Sequence, residues 1–381
     1  MTTHYSFPAS WKNLKVVLCH DWLTGMRGGE RVLELLCEAF PAAPIFTLLH
    51  NPKAVSETIN AHPIRTSWLQ SIPGIERHYR NFLPFFPNAI ERFRVPGDAD
   101  VIISTSHCVA KGLKPGPGMP HLCYCFTPMR YAWLFHDEYL GGNPIKKALA
   151  RPLLTWLRRW DKQASPRVSR FVGISRHIQD RITRFYGREA DVVYPPVDLA
   201  RWTPDFAPAG DFDLIASALV PYKKIDLAVA AYTCSGRRLK IVGTGTEYAA
   251  LKAAAGANIE FLGWQSDEAL LDLYRRCRLL VFPGEEDFGI VPLEAQACGR
   301  PVVAYGRGGA LETVKAGVSG IFFDQQTPES LQTAVTECAE RTWDPTAIRA
   351  HAETFSIQTF LNGLAASLDK TLAARQGAQH S

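Results

Sequence analysis

No stretch of this chain approaches the roughly 18–20 consecutive apolar residues that a membrane-spanning helix requires. Met1 to Trp11 also show no basic-then-apolar signal pattern. The expected location is the cytoplasm. Paired cysteines are missing too: the nine cysteines are odd in number, sit mostly within apolar runs and never form a CxxC. That pattern excludes a disulfide framework and argues against a zinc site, leaving buried, reduced thiols. Cys123 and Cys125, in one expected strand, are expected to face opposite sides and so to share no ion. No glycine-rich turn ends in the GK[ST] of a nucleotide-hydrolysing P-loop. Tandem repeats with periods of roughly 20–50 residues are absent, which removes solenoids.

What the chain does have is an average soluble composition, 46% apolar and 21% charged over 381 residues. That length suits two domains at roughly 100–200 residues each. The net charge of +5 is concentrated: residues 141–170 carry eight Lys/Arg against the single acid Asp161. Within this stretch Ile145, Leu149, Leu153, Trp156, Leu157 and Trp160 fall on one helical stripe. The stripe suits either a core-packed helix with a solvated basic face or a helix lying on an anionic membrane surface. A second segment, Trp68–Arg94, is rich in aromatics and arginine and suits contact with a lipid-linked molecule. Nucleic acid is not expected as a partner, because the basic stretch carries no recognition motif. No feature sets an oligomeric state.

Short β-branched runs alternate with longer stretches of helical spacing, the pattern of parallel sheets covered by helices. The first half offers strands at Leu14–Cys19, Pro44–Leu49, Asp100–Ser104, His121–Cys125, Arg170–Ser175 and Asp191–Tyr194. The second offers Phe212–Ser217, Leu239–Gly243, Ile259–Leu262, Leu279–Pro283, Pro301–Tyr305 and Gly320–Phe323. Between them, four prolines in Tyr194–Pro208 mark a linker. The expected architecture is α/β, two Rossmann-like domains facing a central cleft. Their expected spans are 1–197 and 198–354, with a helix in 355–381 packing back toward the first domain and ending in a frayed tail.

The most informative segment is Val281–Pro301, VFPGEEDFGIVPLEAQACGRP. It reads as a buried strand, an acidic loop and a short helix, with Pro292 in the first turn and Gly299 past the end. The loop delivers the amides of Phe288, Gly289 and Ile290 to a helix N-terminus, which favours an anion such as phosphate. Glu286 and Glu294, with seven residues between them, would not attract phosphate, so their chemical targets are hydroxyls. An acidic capping cluster is the plain alternative. In SALVPYKKID (217–226), Lys223 and Lys224 precede a helix and suit stabilisation of a departing diphosphate. VGTGTE, with Gly243, is by itself a weak dinucleotide signal. In the first half, HDWLTGMRGGER places Gly25, Gly28 and Gly29 ahead of a helix expected to begin near Glu30. His20, Asp21, His107, Thr127, Arg130 and Asp137 flank strand ends, the edge where ligands of open α/β sheets bind. Each of these also suits a capping role.

Glu286-x7-Glu294, SALVPYKKID, IVGTGTE, FLGW and the GGER loop together resemble glycosyltransferase family 4, retaining enzymes of the GT-B fold. HDWLTGMRGGER and CYCFTPMRYAW resemble the bacterial O-antigen and exopolysaccharide subgroup, many of them mannosyltransferases. The resemblance implies that Glu294 binds the nucleotide ribose, and that Glu286 with the Phe288–Ile290 amides holds the donor sugar and phosphates. It implies that Lys223 binds the diphosphate, that residues near Gly263 line the base pocket, and that the Gly28–Gly29 loop closes over donor and acceptor. His107, Arg130 and Asp21 are the acceptor candidates. No metal or cofactor is implied, and Asp98-Ala-Asp100 and Asp211-Phe-Asp213 read as strand-start residues. Two departures stand out: Ala218 where many relatives carry Arg, and Phe126 where many carry His.

The function these residues imply is transfer of a hexose, mannose from GDP-mannose being favoured. The implied acceptor is a polyprenyl-linked saccharide, met by an enzyme peripheral to the inner face of the cytoplasmic membrane. A nucleotide-sugar epimerase or hydrolase, or a non-catalytic sugar-nucleotide-binding protein, is the alternative.

Overall fold

A computed structural model describes residues 5–133 and 144–379, the side chains of 144–149 and 375–379 excepted. Asp137, Ile145 and Leu149 of the sequence reading therefore lie outside the described residues and side chains. The chain divides into two compact units, one of residues 1–194 with 360–381, the other of Pro195–Thr359. Each is a parallel α/β sheet of Rossmann-like type.

The first unit holds β1 (Val16–His20), β2 (Ile45–Thr47), β3 (Ile64–Thr66), β4 (Val101–Ser106), β5 (His121–Cys125), β6 (Arg170–Gly173) and β7 (Ala190–Val192). Their spatial order is β3-β2-β1-β4-β5-β6-β7, all parallel. Continuous apolar runs such as Val16-Val17-Leu18-Cys19 form the central strands because both sheet faces are covered, and every residue of β1, β4 and β5 is buried. One layer packs Val17, Phe46 and Ile102 with Phe86, Ile90, Leu157 and Trp160. β3 was not expected from sequence: it is three residues long, half-exposed and at the sheet edge.

The second unit holds β8 (Asp213–Ala216), β9 (Leu239–Val242), β10 (Ile259–Gly263), β11 (Leu280–Phe282), β12 (Val302–Tyr305) and β13 (Gly320–Phe323). The order is β10-β9-β8-β11-β12-β13, again all parallel. Both orders reverse direction once, between β1 and β4 and between β8 and β11. Such reversals open a crevice at the carboxyl ends of the two strands, because the following loops leave in opposite directions.

The terminal helix Ile357–Gln379 belongs to the first unit from Phe360 onward. Phe360 meets Tyr124 edge-on at 5.5 Å, and Ser367 Oγ donates to Asp191 Oδ2 at 2.9 Å. Of the basic helix Pro144–Ala164, Leu157 and Trp160 are buried, whereas Trp156 is 44% exposed and so leaves the stripe assigned to it. Eight cysteines are buried thiols, but Cys234 is exposed. Cys123 and Cys125 share a face, as positions two apart in a strand must. Gly28 and Gly29 are not loop residues: they open the helix Gly28–Ala39. Both DxD strings sit at the amino ends of β4 and β8, where Asp98 pairs with Lys15, and Asp211 with Arg238. That edge is opposite the crevices.

Candidate functional site

In the second unit, β8 runs through Ser217–Val220 into a 3-10 turn, Pro221–Lys223, and then the helix Ile225–Ser235. Lys224 joins them at φ +56°, a left-handed conformation that side-chain-bearing residues rarely adopt. Across the crevice, β11 leads through Pro283–Gly289 into the eight-residue helix Ile290–Ala297. The two loops run backbone against backbone: a Cβ on Gly284 would stand 3.0 Å from both the Cα and the carbonyl oxygen of Lys223. That approach brings Lys223 Nζ into an ion pair with Glu286, the two side chains 15% and 21% exposed. Residues 63 apart in sequence thus meet across the sheet's reversal point.

A third loop, after β12, clamps the acidic one. Gly309 N–H donates to the Glu286 carbonyl at 2.7 Å. A Cβ on Gly309 would lie 2.3 Å from Phe288 Cα, so only glycine fits. Phe288 is buried and meets Phe355 at 6.1 Å, which anchors the loop just before the helix. Gly289, at φ +98°, turns the chain into the helix. Among the described residues the Gly289 and Ile290 amides donate to no carbonyl or side chain, as first-turn amides of a helix do not. Beyond them stands Glu294, whose Oε2 accepts from the Tyr274 hydroxyl at 2.8 Å. Burial pushes that hydroxyl's pKa well up, so it stays protonated and donates. Tyr274 packs edge-on against Trp202 at 5.3 Å, which fixes the carboxylate's orientation. Sequence reading missed Tyr274; nothing in its helical segment distinguishes it.

Gly243, at φ +132°, packs so tightly that a Cβ would lie 1.8 Å from the Ser217 carbonyl oxygen. Gly245 approaches Leu219 O in the same way. These glycines bring one loop onto another, which accounts for the G-x-G without a ligand. Gly263, at φ +68°, has open space around it and precedes Trp264, 77% exposed. Lys224 is exposed on its strained turn, and Ala218, the first of the two departures, is exposed too.

In the first unit the reversal point is held by Asp21. Its buried carboxylate accepts four amides: His107 and Cys108 at 2.6 and 2.9 Å on Oδ2, Val109 and Ala110 at 2.6 and 2.7 Å on Oδ1. His107 Nδ1 adds a contact to Oδ2 at 3.1 Å. With both oxygens taken and no exposed surface, Asp21 is withdrawn from the acceptor role assigned to it; it is a positioning residue for His107. The His107 ring, 28% exposed, packs edge-on against Trp22 at 4.4 Å. Burial lowers its pKa, Asp21 opposes that, and the charges of His20 and Arg130 reinforce it, leaving a neutral imidazole at pH 7. Arg130, at the start of the helix Arg130–Trp133, is therefore within electrostatic reach of His107.

Next to this group, His20 Nδ1 meets Thr105 Oγ1 at 2.7 Å, while its Nε2 stands 3.8 Å from Glu30 Oε1. Burial pushes the Glu30 carboxyl up, but the adjacent His20 outweighs it and holds the pKa below its ordinary value. A Cβ on Gly29 would come 3.2 Å from the Phe126 ring and 3.6 Å from His20. Gly28 has open space around it. Among the described residues no cluster of three or more His, Cys, Asp or Glu could hold a metal ion, and no helix is long and apolar enough to cross a membrane.

Comparison with known proteins adds three findings. Residues 26–201 match the model described as Glycosyltransferase Family 4, and residues 208–353 match Glycosyl transferases group 1. An uncharacterized glycosyltransferase of Methanocaldococcus jannaschii is 28% identical over 187 residues, 47% of this chain and 52% of that protein. D-inositol 3-phosphate glycosyltransferase of Rhodococcus opacus is 29% identical over 239 residues, 54% of each. The chain thus spans about half the length of the curated relatives it matches. Among solved structures, Anabaena HepE in complex with UDP superposes with a TM-score of 0.68 at 17% identity, covering 94% of this chain and 100% of that one. The shared fold is GT-B.

Proposed function

From the premise that this chain carries a Family 4 and a group 1 glycosyltransferase domain on a GT-B fold, we propose that it transfers a hexose from a nucleotide-sugar with retention of configuration. The observation that carries this reading is the crevice between β8 and β11, where Lys223 and Glu286 meet beside the unused Gly289 and Ile290 amides and the Tyr274-oriented Glu294. The amides and Lys223 supply positive potential for a diphosphate, and the two carboxylates supply acceptors for sugar and ribose hydroxyls. As the sugar–phosphate bond breaks, the electron pair goes to the diphosphate, whose growing charge Lys223 stabilises. The acceptor hydroxyl attacks from the departing side and passes its proton to the oxygen of the departing diphosphate. The positive potential comes from the protein itself, so the proposed chemistry asks for neither a metal nor a cofactor.

The proposed donor is GDP-mannose. UDP-sugars follow closely, since a structural neighbour holds UDP. The proposed acceptor is a polyprenyl-linked saccharide of a cell-surface polysaccharide, and its handling residues are His107 and Arg130. Exposed Trp156 beside exposed Arg151, Arg159 and Lys162 supports peripheral attachment to an anionic leaflet. Complete recovery in a low-salt soluble fraction, with no binding to anionic liposomes, would remove that part.

A panel of GDP-, UDP- and ADP-sugars tests the reading by nucleotide release, with and without a bacterial polyprenyl-glycolipid extract. Release from one donor that rises with extract and yields a heavier lipid is expected. Release indifferent to extract would make the protein a hydrolase. Donor binding without release would favour the non-catalytic reading that Ala218 and Phe126 support.

A further inference from the structure

The proline-rich segment that reads as a linker is bound, from Asp198 onward, to the second unit. Asp198 starts a turn: its Oδ1 accepts the amides of Ala200 and Arg201, both at 3.1 Å, and its carbonyl accepts that of Trp202 at 2.9 Å. Arg201 pairs with Asp267, the first residue of the helix Asp267–Arg276, which ties the turn to one end of that helix. At the other end Arg275 Nε and Nη2 donate to the carbonyl and hydroxyl of Thr203, both at 2.7 Å. Arg349, from the helix Pro345–Glu353, donates to the carbonyls of Trp202, Leu199 and Ala297, the last residue of the helix that carries Glu294. Arg300 holds the Ala207 carbonyl at 2.8 Å. Carbonyls that join no strand or helix are thus satisfied by guanidinium groups, and the shape of the segment is fixed. Between these ties Trp202, 5% exposed, is pressed edge-on against the fully buried Tyr274, whose hydroxyl donates to Glu294.

Resting on the transferase reading, in which Glu294 takes the ribose, we propose that this strapped segment is a working part of the donor site: Trp202 and Tyr274 are positioning residues that make it select ribonucleotide over deoxyribonucleotide donors. A carboxylate recognises a ribose by accepting its hydroxyls, and such charge-assisted bonds hold only over a narrow range of distance and angle. A glutamate side chain left to itself loses rotamer freedom when it binds. The Tyr274 hydroxyl removes that freedom in advance, and Trp202 keeps the phenol ring from yielding, so ordering is complete before the nucleotide arrives. Both residues act through Glu294 and not on the ligand. The gain therefore falls on the ribose hydroxyls alone and leaves base and diphosphate binding untouched.

The test measures by calorimetry, on the full chain, the affinities of GDP and UDP and of the analogue of each that lacks both ribose hydroxyls. For the base that binds, wild type is expected to favour the ribonucleotide at least about tenfold, the effect of charge-assisted hydrogen bonds. Tyr274→Phe removes a single oxygen atom. It is expected to cut that preference at least about threefold, by weakening the ribonucleotide while the analogue binds as before. Trp202→Leu is expected to act in the same direction with the Tyr274 hydroxyl still present; should it fail to fold, Tyr274→Phe decides.

A preference that is unchanged or raised in Tyr274→Phe overturns the proposal, because the hydroxyl would then be idle or a competitor of the ribose for Glu294. Equal weakening of both ligands overturns it too, since that is what a merely structural role produces. Wild type without any preference takes the ribose from Glu294 and removes the donor-site reading as well. A preference that depends on Tyr274, with no sugar transfer to any acceptor, sinks the transferase reading and leaves this inference standing.

Discussion

Replacing Asp21 by asparagine keeps the size of the side chain and removes half of its accepting capacity. The carboxylate takes two amides on each oxygen, those of His107 and Cys108 on one and those of Val109 and Ala110 on the other. An asparagine oxygen can serve one pair, but the NH₂ then points donors at the other pair. Two buried amides lose their acceptor, at about 1–3 kcal/mol each, so the variant should lose about 2–6 kcal/mol. At roughly 2–4 °C per kcal/mol for a domain of this size, the melting temperature should fall by about 4–24 °C. Thermal melting reads the total, and hydrogen exchange should show lost protection at residues 107–110. His107 also loses the Oδ2 contact that orients its ring, so any acceptor-dependent rate should fall further than stability alone explains. A melting shift under 2 °C with unchanged exchange at those amides would refute the account of Asp21 as the clasp of the first crevice.

In the second unit, Glu294→Ala should weaken nucleotide-sugar binding. Lys223→Ala should mainly slow turnover, by roughly a hundredfold or more if it stabilises the departing diphosphate; unchanged kinetics in both would sink the donor site. Glu286→Gln frees Lys223 from its partner, so free nucleoside diphosphate should bind up to about fivefold tighter, the worth of a partly exposed pair, while sugar transfer slows. Weaker diphosphate binding would show that the pair does not compete with the ligand. His121 is fully buried against Ser104, and burial followed by the nearby Lys111 charge pushes its pKa down to about 3. Below pH 6.5 the unfolded chain takes this proton first, so stability is full above that value and declines toward pH 3, by about 2 kcal/mol at pH 5. In His121→Gln the slope of stability between pH 6.5 and 5 should flatten; an unaltered slope would assign it to other groups.

Local signals carried far in this sequence because each does one physical job. Twelve of the thirteen strands coincide with runs named in the sequence, and the central ones are apolar along their whole length because both faces are covered; β3, three residues at a sheet edge, carries no such run. The bend into the helix Ile290–Ala297 is written in Gly289 and Pro292 for similarly local reasons. What stayed hidden depends on strand order. Nothing within SALVPYKKID or FPGEEDFG says that β8 and β11 are neighbours, so the Lys223–Glu286 pair could be named only as two separate candidates. Asp21 shows the opposite error. A carboxylate just past a strand end suits ligand binding and loop clasping equally, and only the four amides arriving from residues 107–110 decide for the clasp.

Both crevices put the same device to different ends. At β8 and β11 the group spanning the reversal is an ion pair, partly open to solvent, with each member able to take a new partner. At β1 and β4 it is a buried carboxylate saturated by amides, with no capacity left. The pair is mostly buried, its side chains 15% and 21% exposed, so in the proposed transfer a diphosphate arriving at Lys223 must itself replace the charge of Glu286. A carboxylate holding four amides cannot be displaced without undoing the loop. The first crevice thus holds His107 in place, whereas the second carries a charge pair whose partners a ligand can replace, the division of labour that the proposed transfer would use for a fixed acceptor group and a departing diphosphate.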